Sequence, residues 1–350
     1  MRVDVELGER SYAVAIDRGA RHLLADLVAT RAPDAQLAVV ITPASLSQMP
    51  WFDLDPGVPT VTLTVPDGEA AKRFDVIEAL CEQMSALTVS RRDIVVGVGG
   101  GATTDAAGFA AAVYLRGVAL AQVPTTLVGQ VDAAIGGKTA VDLAAGKNLV
   151  GAFHQPVGVL CDLDTLETLP AREMGGGRGE IAKCWILSGL GAEEVSSAGL
   201  MGWIAHAVEL KAEIVSADER EGGRRALLNY GHTLAHSLEA VQLAGRDLDL
   251  LHGEAVAIGV AFAARLARSL GRVGDSVVVE HDAVLDAFAI PRTLPQDLNV
   301  TQVIEAMARD KKAHHDLSFV LDGPRGFETV HGVPVDVVRS ALLEFEEECA

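Results

Sequence analysis

The sequence predicts a two-domain protein: an α/β domain built on a parallel sheet, followed by an all-α domain. Three observations carry this. Short β-branched runs alternate with helical periodicity over roughly the first 150 residues. The apolar run 93–98 (DIVVGV) enters three consecutive glycines, Gly99, Gly100 and Gly101. Beyond about residue 160, strand-like runs become rare and helical spacing dominates. A length of 350 residues suits two such domains, and the boundary is placed to give 1–165 and 166–350. A ligand cleft between them is expected.

In order along the chain, 2–7 and 11–16 read as two short strands. Residues 37–41 (LAVVI) and 60–65 are β-branched runs at the spacing of parallel strands. Residues 69–87 repeat apolar side chains at helical intervals. The strand 93–98 then leads through the glycines into a helix at 104–114. In the second part the candidate helices are 172–187, 203–218, 224–243, 253–270 and 280–288, and 318–321 is a short strand.

Apolar residues make up 49% and charged residues 22%, so a core can form and wholesale disorder is excluded. The 35 glycines beside only 4% aromatics point to tight turns and close backbone approaches. A net charge of −19 would repel nucleic acid and anionic membranes, but leaves room for a small anionic substrate in a local basic pocket. Cys81, Cys161, Cys184 and Cys349 form no CxxC pair, so reduced thiols are expected. With no apolar signal core near the start and no long apolar run, a soluble, cytoplasmic protein is expected.

Glycines between a strand and a helix let backbone N–H groups approach a pyrophosphate at the positive helix end. Asp105 lies just inside that helix, and Asp67, Glu69 and Lys72 occupy another strand-to-helix turn. A dense polar run follows: Thr125, Thr126, Asp132, Gly136-Gly137-Lys138-Thr139 and Gly146-Lys147-Asn148. A nucleoside-triphosphate loop is excluded, because Asp132 stands where GxxxxGK[ST] needs its first glycine. Further on, His232 and His236 lie four apart on one helix face, with Thr233 where a zinc protease would carry Glu. His252 opens another apolar helix, and Glu180 precedes Lys183 by one turn. A carboxylate with two imidazoles and an open position is a catalytic metal set, and spacing leaves open which two histidines bind. Arg116, Lys138, Lys147, Lys183, Lys211, Arg225, Lys311 and Lys312 are candidate anion-binding cations.

The stretches GGGATTDAAGFAAAVYLRG, QVPTTLVGQVDAAIGGKTAVD, GKNLVGAFHQP, DTLETLP, RALLNYGHTLAHSLEA, LHGEAVAIG and MARDKK resemble, in this order, the motifs of 3-dehydroquinate synthase. The resemblance spans about residues 65–325. It implies a dehydroquinate synthase-like fold with a Rossmann-like NAD-binding domain, a divalent ion (Zn²⁺ or Co²⁺) and a homodimer. It implies metal ligands Glu180, His232 and His252, with His236 left to the substrate or a proton relay. It implies NAD contacts at Asp67, Glu69, Lys72, Gly99, Gly100, Gly101, Asp105, Thr125, Thr126, Lys147, Thr165 and Thr168. Catalytic roles carry over to Lys138, Lys183, Glu221, Asn229 and His236. Substrate contacts carry over to Asp132, Asn148, Lys211, Arg225, Lys311 and Lys312, and Arg116 is implied to reach the neighbouring subunit's substrate phosphate. The implied chemistry is oxidation by NAD⁺, β-elimination of phosphate, re-reduction and an intramolecular aldol closure.

Some features depart from the family pattern. Residues 175–180 read GGGRGE, which places Arg178 as an extra cation near a metal ligand. The His232–His252 interval is longer than usual, 187–203 is shorter, and Thr42-Pro43 lacks the acidic or amide residue often placed near the adenosine ribose. These suggest a specialised relative such as an aminodehydroquinate synthase, which acts on the 4-amino analogue. Less favoured are a carboxylate-free sugar phosphate cyclase, a metal-dependent alcohol dehydrogenase and a non-enzymatic binding protein. All three metal-ligand positions are filled, which argues against the last.

Overall fold

The computed structural model describes residues 1–144, 146–245, 248–295, 298–310 and 317–349. The chain forms two compact units. One comprises 1–170 with 204–220, and the other 171–203 with 221–350.

The first unit contains strands β1 (Arg2–Val5), β2 (Tyr12–Asp17), β3 (Ala38–Pro43), β4 (Thr60–Val65), β5 (Ile94–Gly99), β6 (Ala119–Pro124), β7 (Lys138–Leu143), β8 (Gly146–Phe153) and β9 (Gly158–Asp162). Its helices are α1 (Leu24–Arg31), α2 (Phe74–Ala86) and α3 (Gly101–Val113). Among the described residues, seven strands form one sheet in the order β1-β2-β9-β6-β5-β3-β4. All its pairs are parallel except β1 with β2. Alternation in the central strands fills both faces, as a covered parallel sheet requires. Val39, Ile41 and Val95 pack on one side with Ile77, Leu80 and Met84. Ala38, Val40, Ile94 and Val96 pack on the other with Leu24 and Val28. The antiparallel hairpin β7–β8 stands apart from the sheet.

From β3 the chain runs outward to β4, then from β5 in the opposite direction to β6 and β9. The order therefore reverses between β3 and β5, and ligands of open α/β sheets bind at the carboxyl ends of strands beside such a reversal. Gly99–Gly101 lie there. The helix expected at 69–87 begins later: 68–71 form a single 3₁₀ turn, Arg73 is extended and α2 starts at Phe74. The break lets Lys72 turn inward onto Asp105.

The second unit is mainly helical. Its elements are α4 (Ala171–Leu187), α5 (Ala192–Ala217), α6 (His232–Leu243), α7 (His252–Ser269), α8 (Asp275–Ala287), α9 (Val300–Asp310), the hairpin β10 (Leu317–Leu321) and β11 (Glu328–Val333), and α10 (Val335–Cys349). Residues of α5 from Ile204 onward belong to the first unit, and α5 breaks its helical geometry at Gly199 (φ 64°, ψ 175°). The expected helix 224–243 is divided. Arg224–Asn229 is 3₁₀, Gly231 has φ +80°, and α6 starts at His232.

Helix α7 is buried along nearly its whole length, and its neighbours reach it through glycine. A Cβ on Gly179 of α4 would lie 1.9 Å from the carbonyl oxygen of Gly253, and one on Gly253 would lie 1.6 Å from that of Gly176. A Cβ on Gly259 would meet the Gly231 carbonyl at 2.0 Å. Only glycine permits this backbone contact. Gly253→Ala is therefore expected to cost at least about 2 kcal/mol, because a backbone carbonyl cannot swing aside. Gly175→Ala, in the same helix α4 but with open space around it, should instead gain about 0.5–1 kcal/mol. Denaturant unfolding of both variants checks this, and equal effects would disprove the contact argument.

Candidate active site

Three ligand-type groups converge in the second unit. Oε1 of Glu180 on α4 lies 3.4 Å from Nε2 of His232 on α6 and 3.2 Å from Nε2 of His252 on α7. The three ligand atoms lie within 4.8 Å of one another. Each imidazole has its other nitrogen engaged. Nδ1 of His232 lies 3.2 Å from the Tyr230 carbonyl oxygen, and Nδ1 of His252 lies 3.3 Å from Oε1 of Glu239. Both rings can therefore hold the proton on Nδ1 and offer a lone pair at Nε2. Oε1 of Glu180 is buried and meets no hydrogen bond of good geometry among the described residues. An acceptor left in that state, with the Nε2 atoms of two imidazoles 3.4 and 3.2 Å away, fits a divalent cation once those nitrogens give up their protons. The set falls one ligand short of a closed tetrahedral site, which leaves an open position.

Burial opposes ionisation of Glu180, but the Lys183 ammonium at 2.5 Å and the two imidazoles outweigh it and hold the carboxyl well below its ordinary range. Burial also lowers His252, and the carboxylates of Glu180 and Glu239 overcome that, so it is pushed up to about 10. His236 stands beside the set. Its ring lies 5.2 Å from His232, nearly perpendicular, and 6.4 Å from His252, nearly stacked. Asn229 donates to Glu221 at 3.0 Å, Glu221 has φ +60°, and Arg225 is fully buried.

In the first unit, the carboxyl ends of the parallel strands collect most residues expected to hold a dinucleotide. Gly99–Gly101 follow β5, Thr125 and Thr126 follow β6, Asp67 follows β4, and Thr165 and Thr168 follow β9. A Cβ on Gly99 would strike Thr103 at 2.7 Å, and one on Gly100 would approach Thr126 at 3.0 Å. No side chain caps α3, so its first N–H groups remain open to an anion. The buried Lys72 bridges Asp105 at 2.7 Å and Asn148, with Glu69 at 3.9 Å and Asp142 at 4.0 Å. Lys147 reaches Glu69 at 3.3 Å. Burial pushes Asp105 up to about 6 against the pull of Lys72. Lys211 donates to the Asp132 carbonyl at 2.7 Å and pairs with its carboxylate. Lys138 is exposed at the start of β7, and Arg116 lies exposed in the turn after α3 with φ +66°.

Arg178 does not stand where its proximity in sequence to Glu180 suggested. Two residues along a helix point in nearly opposite directions. Arg178 turns away, donating to the Phe288 carbonyl at 3.4 Å, with its guanidinium 5.9 Å from the Trp203 ring centroid. Lys311 and Lys312 lie outside the described residues. Sequence reasoning missed Glu239, Tyr230 and Asp142. For Glu239 a signal existed, since it follows His232 by seven residues and His236 by three, on one helix face.

Residues 62–176 match the family description "3-dehydroquinate synthase N-terminal" and 188–313 match "3-dehydroquinate synthase C-terminal". The chain belongs to the 3-dehydroquinate synthase family. Among its relatives, it is 48% identical to a putative aminodehydroquinate synthase of Amycolatopsis mediterranei, covering 97% of this chain and 93% of that one. It is 42% identical to the 3-dehydroquinate synthase of Mycobacterium leprae over 89% of each. Among solved structures, 2-epi-5-epi-valiolone synthase from Streptomyces hygroscopicus, with NAD⁺ and Zn²⁺ bound, aligns with a TM-score of 0.80 at 27% identity over 98% of each chain.

For this member of the 3-dehydroquinate synthase family, metal uptake should be linked to protons. A metal needs the Nε2 lone pair, yet without metal His252 keeps its proton up to about pH 10. Binding therefore displaces a proton, and affinity should rise about tenfold per pH unit between pH 6.5 and 8.5. Zn²⁺ titration against a chelator at several pH values measures this. An affinity independent of pH would refute it.

Proposed function

We propose that the protein is an NAD- and metal-dependent cyclase of the 3-dehydroquinate synthase type, a carbon–oxygen lyase acting on phosphates. Its substrate is then 3-deoxy-arabino-heptulosonate 7-phosphate and its product 3-dehydroquinate, in the shikimate pathway of aromatic amino acid biosynthesis. The observation that carries this reading is the convergence of His232 and His252 on the buried, ionised Glu180. When bound, NAD⁺ supplies reversible hydride transfer, and Zn²⁺ or Co²⁺ polarises a substrate hydroxyl oxygen.

The chain's own residues supply the rest. Glu180, His232 and His252 hold the ion, and Lys183 keeps Glu180 ionised. Gly99–Gly101, Thr125 and Thr126 receive the pyrophosphate at the start of α3. Asp67, Glu69, Lys72, Asp105, Lys147, Thr165 and Thr168 complete the dinucleotide site. Arg225, Lys211, Lys138 and Asn148 bind the carboxylate and phosphate of the substrate. Asp132 orients Lys211, and Glu221 orients Asn229. His236, beside both metal-binding imidazoles, moves the proton. Arg116 extends from its exposed turn toward a partner subunit, and Lys311 and Lys312 are placed here on the family resemblance alone. A cytoplasmic homodimer is part of the proposal. The net charge of −19 supports a small anionic substrate over nucleic acid or membrane. Among the described residues no helix is long and apolar enough to cross a membrane.

A second reading is favoured by one observation. Identity to the putative aminodehydroquinate synthase is 48%, against 42% for the 3-dehydroquinate synthase of M. leprae. That reading makes the 4-amino analogue the substrate and places the protein in antibiotic biosynthesis. Phosphate release with NAD⁺ and Zn²⁺ or Co²⁺, with the two substrates in competition, separates the readings. Preference for the hydroxy substrate supports the first and preference for the amino substrate the second. Release from neither would sink both.

A further inference from the structure

We infer that Glu239 is a positioning residue that sets how tightly this site holds its metal. The inference rests on the metal site proposed at Glu180, His232 and His252, and assigns a role to a side chain outside that set. The two imidazoles are held in different ways. His232 is nearly buried, with a side chain 11% exposed, and the Tyr230 carbonyl fixes its Nδ1. The packing around it and the backbone already decide where that ring points. His252 is the first residue of α7 and its side chain is 33% exposed. A ring so placed has room to turn. Its tether is Glu239, whose Oε1 lies 3.3 Å from Nδ1 and whose side chain is only 12% exposed.

The tether sits on the element that also carries His232. Along α6, positions 232, 236 and 239 share one face, so one helix both supplies a ligand and orients the ligand from α7. Glu239 cannot itself join the set through His252's open side. The two ring nitrogens point in diverging directions, and Glu239 meets Nδ1 while Glu180 meets Nε2. A carboxylate at Nδ1 does two things for a metal-binding imidazole. It holds the proton on Nδ1, leaving the lone pair on Nε2, and it fixes the plane of the ring. Glu239–His252–Glu180 thus forms a chain with a carboxylate at each end and the metal position at only one.

Position and charge can be separated by two substitutions. Glu239→Gln keeps an acceptor oxygen at the same reach and removes the charge. Glu239→Asp keeps the charge and withdraws it by one methylene. The readout is Co²⁺ affinity by chelator competition, with the visible absorption of bound Co²⁺ reporting its ligand geometry. If position governs, Glu239→Asp and Glu239→Ala lose about 10- to 100-fold in affinity with an altered Co²⁺ spectrum. Glu239→Gln then loses less than about tenfold and keeps the wild-type spectrum. With metal saturating, most of the turnover returns in each variant, and thermal unfolding of the metal-free proteins is unchanged. Full affinity in Glu239→Asp, or a loss in Glu239→Gln as large as in Glu239→Asp, would overturn the assignment. Glu180→Ala serves as the control on the underlying site. If it binds Co²⁺ as tightly as wild type, the metal lies elsewhere and both readings fall. If it loses binding while the Glu239 variants do not, only the role of Glu239 is lost.

Discussion

Backbone contact through glycine is the constraint on which the candidate site depends. Each of the three candidate metal-binding positions adjoins a contact glycine: Glu180 follows Gly179, His232 follows Gly231, and His252 precedes Gly253. Gly179 and Gly253 touch across α4 and α7, and Gly231 touches Gly259 of α7. Side chains between helices usually hold axes 8–10 Å apart. Here the backbones meet with nothing between them, and the Glu and His side chains beside those contacts converge to 3.2–3.4 Å. The cost is the backbone entropy of several glycines within helices. Helix α7, buried along nearly its whole length and rich in alanine and other apolar residues, offsets it by packing against its neighbours.

Charge follows the same logic within each unit. In a chain of net charge −19, three buried lysines are each matched to a carboxylate: Lys72 to Asp105, Lys183 to Glu180 and Lys211 to Asp132. An unpaired buried ammonium would cost several kcal/mol, whereas a paired one stays ionised. The pairs keep cations at low solvent exposure, where an anion meets weak screening. Within a pair, burial and partner compete, and the outcome differs between sites. Glu180, flanked by a lysine and two imidazoles, remains ionised. Asp105, set against one lysine and close to other carboxylates, is pushed up to about 6.

Much of this was legible in the sequence, because the informative signals are local. The run DIVVGV followed by three glycines marks a strand, a turn and a helix start, and β5 and α3 form there. The order of the motifs identified the family, and His232, His252 and Glu180 converge as the resemblance implied. What sequence patterns blurred was the direction of side chains and of the chain at breaks. The periodicity of 69–87 and of 224–243 ran on through turns, because a 3₁₀ turn keeps nearly helical spacing. The breaks lie beside contacts with residues distant in the chain, Lys72 with Asp105 and Gly231 with Gly259. The hairpin β7–β8 was read only as a polar run, since its residues carry chemistry more visibly than strand pattern.

Arg178 bears on how the two candidate substrates are told apart. They differ by oxygen or nitrogen on one ring carbon, and a site discriminates such a pair through groups that hydrogen-bond to that atom. Arg178 donates to the end of α8 and lies over Trp203, on the side of α4 away from Glu180. It therefore acts on α4 as a whole, by holding that helix against α8, and touches neither the metal position nor the residues facing it. Discrimination between the two substrates therefore falls to groups other than Arg178 that can hydrogen-bond to that atom. Within 175–180, Gly176 and Gly179 admit α7 by close backbone contact, and Arg178 joins the same helix to the end of α8.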